Sequence, residues 1–267
     1  MKIKLVSWNV NSVKARLDRL LAFLKGEAPD IVCLQELKCL EENFPLGPIQ
    51  DAGYHASIAG QKTYNGVAIL SREEPTEVRR SFGDNSSDTA ARFIGATVQG
   101  VRIYSAYIPN GQSVGSEKYG YKLEWLKRLK AFLQRTHQTT EKIVIAGDFN
   151  VAPEDRDCHD PKLWEGQILF SEAEKAALRE VCHFGLYDTF RKHHSEGSHY
   201  SWWDYRQLSF PKDKGMRIDF VLATKPLLEA CNAATIIRAE RKGPLPSDHA
   251  PVMAEFILPD SSQGLPI

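Results

Sequence analysis

Gly147-Asp148-Phe149-Asn150 follows the uninterrupted apolar run Ile143-Val144-Ile145-Ala146. A buried strand that stops at an acid and an amide places two phosphate-handling groups at the edge of a sheet. Four other polar groups sit beside strand-like runs. Asn9 closes Leu5-Val6-Ser7-Trp8, Glu36 closes Ile31-Val32-Cys33-Leu34-Gln35, Asp219 lies inside the run Met216 to Leu222, and Ser247-Asp248-His249 precedes Ala250-Pro251-Val252. Oxygen-rich ligands such as Asn9, Glu36 and Asp248 suit magnesium or manganese, whereas zinc prefers His and Cys. A cation held this way can polarise a phosphodiester and stabilise charge on the attacking and leaving oxygens. One acid at a strand end is commonly a cap or a solvated residue. Five such positions in compatible settings point instead to a single metal-assisted hydrolytic site.

Within Ser247-Asp248-His249 the carboxylate can orient and charge-stabilise the imidazole for contact with a phosphate. The remaining histidines are scattered without a two-His metal spacing, so a zinc site is not expected. His193-His194 and Cys158-His159 read as loop or surface residues.

The elements that must position these groups can be read from apolar periodicity. Strands are expected at 3–10, 30–35, 66–71, 93–98, 101–108, 217–223 and 252–258. The short turn Gln99-Gly100 forces an antiparallel pair. Leu17, Leu20, Leu21 and Leu24 mark one amphipathic helix, and Trp125, Leu126, Leu129, Phe132 and Leu133 mark a longer one over about 117–134. Ser171 and Glu174 form a capping box opening a helix through Cys182. This pattern fits an α/β sandwich of mixed sheets covered by helices. The stretches 111–120, 155–170 and 205–215 read as long loops suited to substrate recognition.

The 267 residues can form one large domain. Because the polar groups run from Asn9 to His249, nearly the whole chain is needed for one site. A single domain over 1–258 with a loose tail over 259–267 is therefore expected. With 34 basic and 34 acidic residues there is no global field to draw in an anionic partner. If the substrate is nucleic acid, attraction must come from local basic patches and a bound cation. Five cysteines without a CxxC pair favour reduced thiols. No secretory leader is visible, and no apolar run approaches the roughly 20 residues that span a bilayer. A cytoplasmic protein without membrane contact is expected.

Six segments occur in a familiar order: Trp8-Asn9-Val10-Asn11, Leu34-Gln35-Glu36-Leu37-Lys38, Tyr107-Ile108-Pro109-Asn110-Gly111, Gly147-Asp148-Phe149-Asn150, Arg217-Ile218-Asp219 and Ser247-Asp248-His249. Together they resemble the exonuclease III family of magnesium-dependent DNA-repair nucleases, over essentially the whole chain. Gly-Asp-x-Asn and Ser-Asp-His are shared across the wider endonuclease/exonuclease/phosphatase superfamily. Glu36 followed by Lys38, the 107–111 segment and Tyr200-Ser201-Trp202-Trp203-Asp204-Tyr205-Arg206 are more specific to the repair enzymes.

The resemblance implies a deoxyribonuclease-I-like fold, a four-layer sandwich of two mixed, mostly antiparallel sheets flanked by helices. It implies Mg²⁺ or Mn²⁺ held by Glu36 with Asn9, and Asp148, Asn150, Asp248 and His249 as ligands of a second position. Asp148 would transfer the proton, Asn150 would orient it, and Tyr107 would bond the scissile phosphate. Asp219 would hold the imidazole of His249. The expected substrate is duplex DNA with abasic sites or with damaged or recessed 3′ ends, handled by a monomer.

Relatives accept an extrahelical abasic sugar in a small apolar pocket, and Trp202, Met216 and Ile218 occupy the matching positions. Met216 departs from the Trp of many relatives. The segment 111–119, with Lys118, is a candidate groove-contacting loop, Asn110 just before it is a DNA-binding candidate, and Lys212 and Lys214 offer phosphate contacts. The bulk of Trp164 and Ile168-Leu169-Phe170, where many strong abasic endonucleases carry a smaller turn, is expected to narrow the cleft and favour 3′ ends. Two other readings are a superfamily phosphatase acting on inositol phosphates or phospholipids and an inactive DNA-binding scaffold. The first has no need of the 202–206 segment or Lys38. The second should have lost one of Glu36, Asp148, Asn150 or His249, and all are present.

Overall fold

Successive side chains along a strand point to opposite faces, so an apolar run without interruption belongs to a strand covered on both sides. The computed structural model, which describes residues 1–259, has this arrangement. Of the expected tail, residues 260–267 lie outside the described residues. In chain order the elements are β1 (Lys2–Asn9), α1 (Leu17–Glu27), β2 (Ile31–Gln35), α2 (Leu46–Asp51), β3 (His55–Ala59), β4 (Val67–Ser71), β5 (Thr76–Arg79), β6 (Phe93–Val98), β7 (Val101–Tyr107), α3 (Glu117–Thr136), β8 (Ile143–Asp148), α4 (Pro161–Trp164), α5 (Glu172–Cys182), β9 (Leu186–Asp188), α6 (Thr189–His193), β10 (Asp219–Thr224), α7 (Lys225–Ala230), β11 (Cys231–Ile236) and β12 (Val252–Ile257).

Two six-stranded sheets result, ordered β11-β12-β1-β2-β4-β3 and β5-β6-β7-β8-β10-β9. Leu5, Cys33, Val144, Ala146, Val221 and Val252 fill the core between them. On the outer side of the first sheet, Val6, Trp8, Val32 and Leu34 pack against Leu20, Phe23 and Leu24 of α1. On the outer side of the second, Ile143 and Ile145 meet Trp125, Leu126, Leu129 and Phe132 of α3 and Leu178 and Val181 of α5. The four-layer sandwich expected from the sequence is therefore present.

Each sheet contains one parallel pair, β1–β2 and β7–β8, while the other pairings are antiparallel. Parallel neighbours need a crossover, and α1 and α3 supply the two. The register sets Asn9 beside Gln35 and Tyr107 beside Asp148, so each pair ends level. An antiparallel neighbour begins where its partner ends. Accordingly β12 starts with Val252 against Ser7, and β10 starts with Asp219 against Asp148. Topology alone thus gathers groups far apart in sequence at one rim of the sandwich.

Several local expectations change. The buried stripe of α1 is Leu20, Phe23 and Leu24, with Leu17 outside it. Asp219 is the first residue of β10 rather than interior to a strand. The loop expected at 111–120 ends when Ser116 caps α3, its Oγ accepting from the Tyr119 N–H at 3.2 Å. The stretch 155–170 contains a 3₁₀ turn and α4, and 205–215 contains a second 3₁₀ turn. Cys158 is not a surface residue but is buried against Met216, whereas His193, the last residue of α6, is exposed as expected. The β6–β7 hairpin turns through Gln99 and Gly100 with φ of 51° and 74°, the left-handed pair that suits strand twist.

Gly147 shows how tightly the rim is built. A Cβ there would lie 1.9 Å from the carbonyl oxygen of Ala106 on β7, and backbone cannot swing aside as a side chain can. Gly147→Ala should cost about 1–3 kcal/mol, the usual range for overpacking, or more. Urea unfolding of the two proteins checks this, and equal midpoints would refute the close approach.

Candidate active site

The rim where the strands end is where carboxylates from both sheets meet. Asn9, buried at the end of β1, donates from Nδ2 to Glu36 Oε1 and to Asp148 Oδ2, both at 2.9 Å. Its Oδ1 accepts from the Asn11 backbone at 3.0 Å. Glu36 Oε1 also accepts from the Tyr107 hydroxyl at 2.9 Å, and its Oε2 lies 2.8 Å from Lys38 Nζ. The chain reaches this geometry through uncommon backbone. Asn11, Glu36, Lys38 and Asn150 have φ of 46°, 53°, 54° and 51°, a left-handed region that Asn tolerates and Glu or Lys enter at some cost.

His249 is buried with Nδ1 2.9 Å from Asp219 Oδ2 and Nε2 3.7 Å from Asp148 Oδ2. Asp219 is held in turn by Ser201, whose Oγ donates to Asp219 Oδ2 at 2.6 Å. The adjacent Asp248 does not orient the imidazole, contrary to the reading of the Asp-His dipeptide. It accepts from Asn11 Nδ2 at 2.9 Å and from Trp202 Nε1 at 3.0 Å. Ser247 Oγ donates to the Asn9 carbonyl at 2.6 Å, tying this segment to β1.

The amide of Asn150 turns away from Asp148. Its Oδ1 accepts from Asn110 Nδ2 at 3.1 Å and its Nδ2 donates to the Ile108 carbonyl at 3.0 Å. The contact with Asp148 is made by the Asn150 backbone N–H, at 2.9 Å to Oδ1. Beneath this loop, Lys122 of α3 is fully buried and paired with buried Glu174 of α5. Lys122 Nζ donates to the carbonyls of Asn150 at 2.7 Å and Asn110 at 3.2 Å. Glu174 accepts from the Leu169 N–H at 3.1 Å.

Met216 and Ile218 are buried in an apolar cluster with Ala152, Cys158, Leu169 and Phe170, against which Trp164, Ile168 and Trp202 pack. The three residues expected to form the sugar pocket therefore do share one apolar cluster, but only Trp202 is partly exposed. Lys118, Lys212 and Lys214 are exposed, away from the carboxylate cluster's hydrogen bonds. Sequence reasoning missed Asn11, Ser201, Lys122 and Glu174 as parts of the site. Lys122 had left a signal, since 122, 125, 126 and 129 share the buried face of α3. A lysine in an apolar stripe needs a buried partner.

These contacts set the charges. Burial pushes the Asp148 carboxyl up to about 7, Asp219 and Glu36 adding to the rise while His249 and the Asn9 amide oppose it. Burial disfavours charge on the His249 imidazole, but Asp219, Asp148 and Asp248 outweigh it and lift the group to about 10. Burial, with Glu36 and Asp148 nearby, holds the Tyr107 hydroxyl well above its ordinary value. Near neutral pH the site thus contains a cationic imidazole, a neutral phenol and a carboxyl able to exchange a proton. Ligand atoms of Glu36, Asp148 and His249 all lie within 4.8 Å of one another, and the two carboxylates among them fit a hard divalent cation.

Asp219→Asn removes the anion that does most to favour the charged imidazole. The His249 pKa should then fall from about 10 towards or below its ordinary 6.5. Histidine NMR titration of chelator-treated protein measures it, and an unmoved titration would contradict this electrostatic account.

The geometry has counterparts. Residues 6–249 match the endonuclease/exonuclease/phosphatase family model. Exodeoxyribonuclease III of Haemophilus influenzae is 35% identical over 95% of this chain and 100% of its own length. The structure of the Neisseria 3′ phosphatase NExo bound to a product DNA hairpin aligns with a TM-score of 0.92 at 39% identity, covering 96% of this chain and 100% of that one. An AP endonuclease from Archaeoglobus fulgidus aligns with a TM-score of 0.93 at 37% identity, covering 96% and 100%. The chain belongs to the endonuclease/exonuclease/phosphatase family and, within it, to the exonuclease III type of hydrolytic nuclease.

Proposed function

We propose that this protein is a Mg²⁺- or Mn²⁺-dependent DNA-repair phosphodiesterase that processes damaged or recessed 3′ ends of duplex DNA and also cleaves at abasic sites. The observation that carries the reading is the Asn9 amide joining Glu36 and Asp148, with His249 beside them. Glu36 would hold the cation with Asn9 beside it, and Asp148, Asn150 and Asp248 are candidates for a second position, while His249, held protonated by its carboxylate neighbours, is left as a donor to phosphate rather than a ligand. A divalent cation there supplies Lewis-acid polarisation of the phosphodiester.

The other roles follow from charge and position. Asp148 exchanges the proton needed at the attacking water or the departing 3′ oxygen. The His249 imidazolium, fixed by Asp219, presents Nε2 as a charged donor to a phosphate oxygen. The Tyr107 hydroxyl stays protonated and donates to the scissile phosphate. Asn150 holds the loop that carries Asp148 in place, through Asn110 and Ile108. Asn110, Lys118, Trp202, Met216 and Ile218 lie on the DNA side of this reading.

The balance of activities is assigned to the cluster around Leu169. Its side chains fill the apolar region flanking the Asn150–Ala152 turn, leaving an extrahelical sugar less room and favouring 3′ ends. The site is built from one chain, which fits action as a monomer. Five free cysteines fit a reducing cytoplasm. No helix among the described residues is long and apolar enough to cross a membrane.

Two labelled duplexes, one with an internal abasic-site analogue and one with a recessed 3′ end, test the reading with Mg²⁺ and with a chelator. Inertness towards both in the presence of metal would overturn it. Asp148→Asn should fold normally and lose about 10²–10⁴-fold or more in rate, the contribution of a positioned acid–base group; near-native cleavage by the folded variant would sink the assignment. Leu169→Gly keeps the backbone bond to Glu174 and should raise internal cleavage relative to 3′-end processing. An unchanged ratio would remove the cluster from the account of selectivity.

A further inference from the structure

Among the described residues, one other group gathers metal-capable atoms. His194, Glu196 and His199 bring ligand atoms within 4.8 Å of one another. They lie on the turn that follows α6 and leads into Tyr200-Ser201-Trp202. The turn is held by its backbone: Arg191 Nη1 donates to the carbonyls of His194 at 3.1 Å and Glu196 at 2.6 Å, and Arg156 Nη1 donates to that of Ser195 at 2.6 Å. Clamping through carbonyls leaves the three side chains to face one another. Phe190 supports both rings, stacked 4.3 Å from His194 and edge-on 5.4 Å from His199.

The hydrogen bonding of His194 carries most weight. Its Nε2 lies 2.8 Å from the Ala234 carbonyl, and a carbonyl can only accept, so Nε2 bears the proton. In the neutral ring Nδ1 then carries a lone pair, which faces Glu196 Oε1 at 3.6 Å. A ligating histidine whose other nitrogen donates to a backbone carbonyl is the usual supporting arrangement around a metal. His199 Nε2 lies 2.9 Å from the same Glu196 oxygen. Ligands at about 2.0–2.1 Å from a tetrahedral zinc ion sit roughly 3.3 Å apart, between these two separations. Two imidazole nitrogens and one carboxylate suit zinc, cobalt or nickel rather than magnesium. The side chains are 31%, 60% and 35% exposed, so an ion can reach them and a water can complete the shell.

We propose that His194, Glu196 and His199 form a second metal site, for a zinc-class divalent ion, that staples the turn ahead of Ser201 and Trp202 and takes no part in the cleavage chemistry. It does not depend on the nuclease reading. Ser201 and Trp202 hold Asp219 and Asp248, so the ion would steady the approach to the catalytic rim from outside.

Zinc binding to tag-free protein tests this by calorimetry and thermal melting, in the Glu36→Gln background so that the carboxylate of the catalytic cluster does not contribute. One equivalent of Zn²⁺ should bind and raise the melting temperature. Adding His199→Ala, or Glu196→Gln, should weaken binding at least about tenfold, since losing even a supporting partner of a ligand costs about 10–100-fold, and should abolish the thermal shift. Both positions are partly exposed, and circular dichroism without zinc verifies the fold. His199→Ala alone should leave Mg²⁺-dependent cleavage unchanged. No zinc binding in the Glu36→Gln protein, or equal binding after either added substitution, would overturn the proposal.

Discussion

The site depends on one amide group. Asn9 Nδ2 has two hydrogens, and they go to carboxylates from different sheets, Glu36 after β2 and Asp148 at the end of β8. Two carboxylates so close in a buried setting repel each other strongly, and a neutral donor shared between them offsets part of that cost without cancelling their charge. The bridge needs the two sheets at a fixed separation and in a fixed register. That separation is set by the apolar core between them, from Leu5 and Cys33 on one side to Val144 and Ala146 on the other. Within the second sheet, Gly147 leaves room for the close approach of β7 to β8 just before Asp148.

Around the bridge, charge is arranged in advance of substrate. His249 stands between Asp219 and Asp148 and is held cationic by them, so in the proposed reading no proton need be recruited when a phosphate arrives. Such a group costs little reorganisation during reaction. Its orientation passes through Asp219 to Ser201, and from Ser201 to the backbone of Ile218 and Asp219, each 3.1 Å away. On the opposite side the Lys122–Glu174 pair holds the Asn110 and Asn150 carbonyls. A buried ion pair adds little net stability, but removing one partner leaves an uncompensated charge. Its value here is positional, since it fixes the loop after β8 to both covering helices.

What the sequence disclosed, and what it hid, divide along physical lines. Strands covered on both faces were legible because burial demands continuous apolar residues, and the polar groups ending them stood out against that background. The four strands not foreseen, β3, β5, β9 and β11, are the edge strands of the two sheets. Their half-exposed residues, such as Thr76-Glu77-Val78-Arg79, lack that signature. Asp219 was placed correctly beside His249 only through family resemblance, because the adjacent Asp248 was the simpler partner by sequence. The His194, Glu196 and His199 group escaped because its members meet through a turn, not through helical spacing. The Lys122–Glu174 pairing was hidden because each residue belongs to its own helix, and Glu174 already had a role as the capping-box partner of Ser171.

In the proposed reading, selectivity has a different physical origin from the chemistry. The reacting groups hang on strand ends, whereas the apolar cluster beside them hangs on the segment containing Leu169. That segment is no loose flap. Leu169 donates its N–H to Glu174 and accepts from the Ala152 N–H at 2.8 Å, while its φ of 73° places it in the left-handed region. A bulky residue held there against its backbone preference must be tied at both sides to stay. Ala152 lies two residues beyond Asn150, and Glu174 is the partner of Lys122, so the same ties that steady the catalytic loop fix the bulk of Leu169. The position of this bulk is therefore set by the scaffold. On the proposed reading, a substitution that changes the side chain while keeping these two backbone bonds alters the space offered to DNA and leaves the carboxylates where they are.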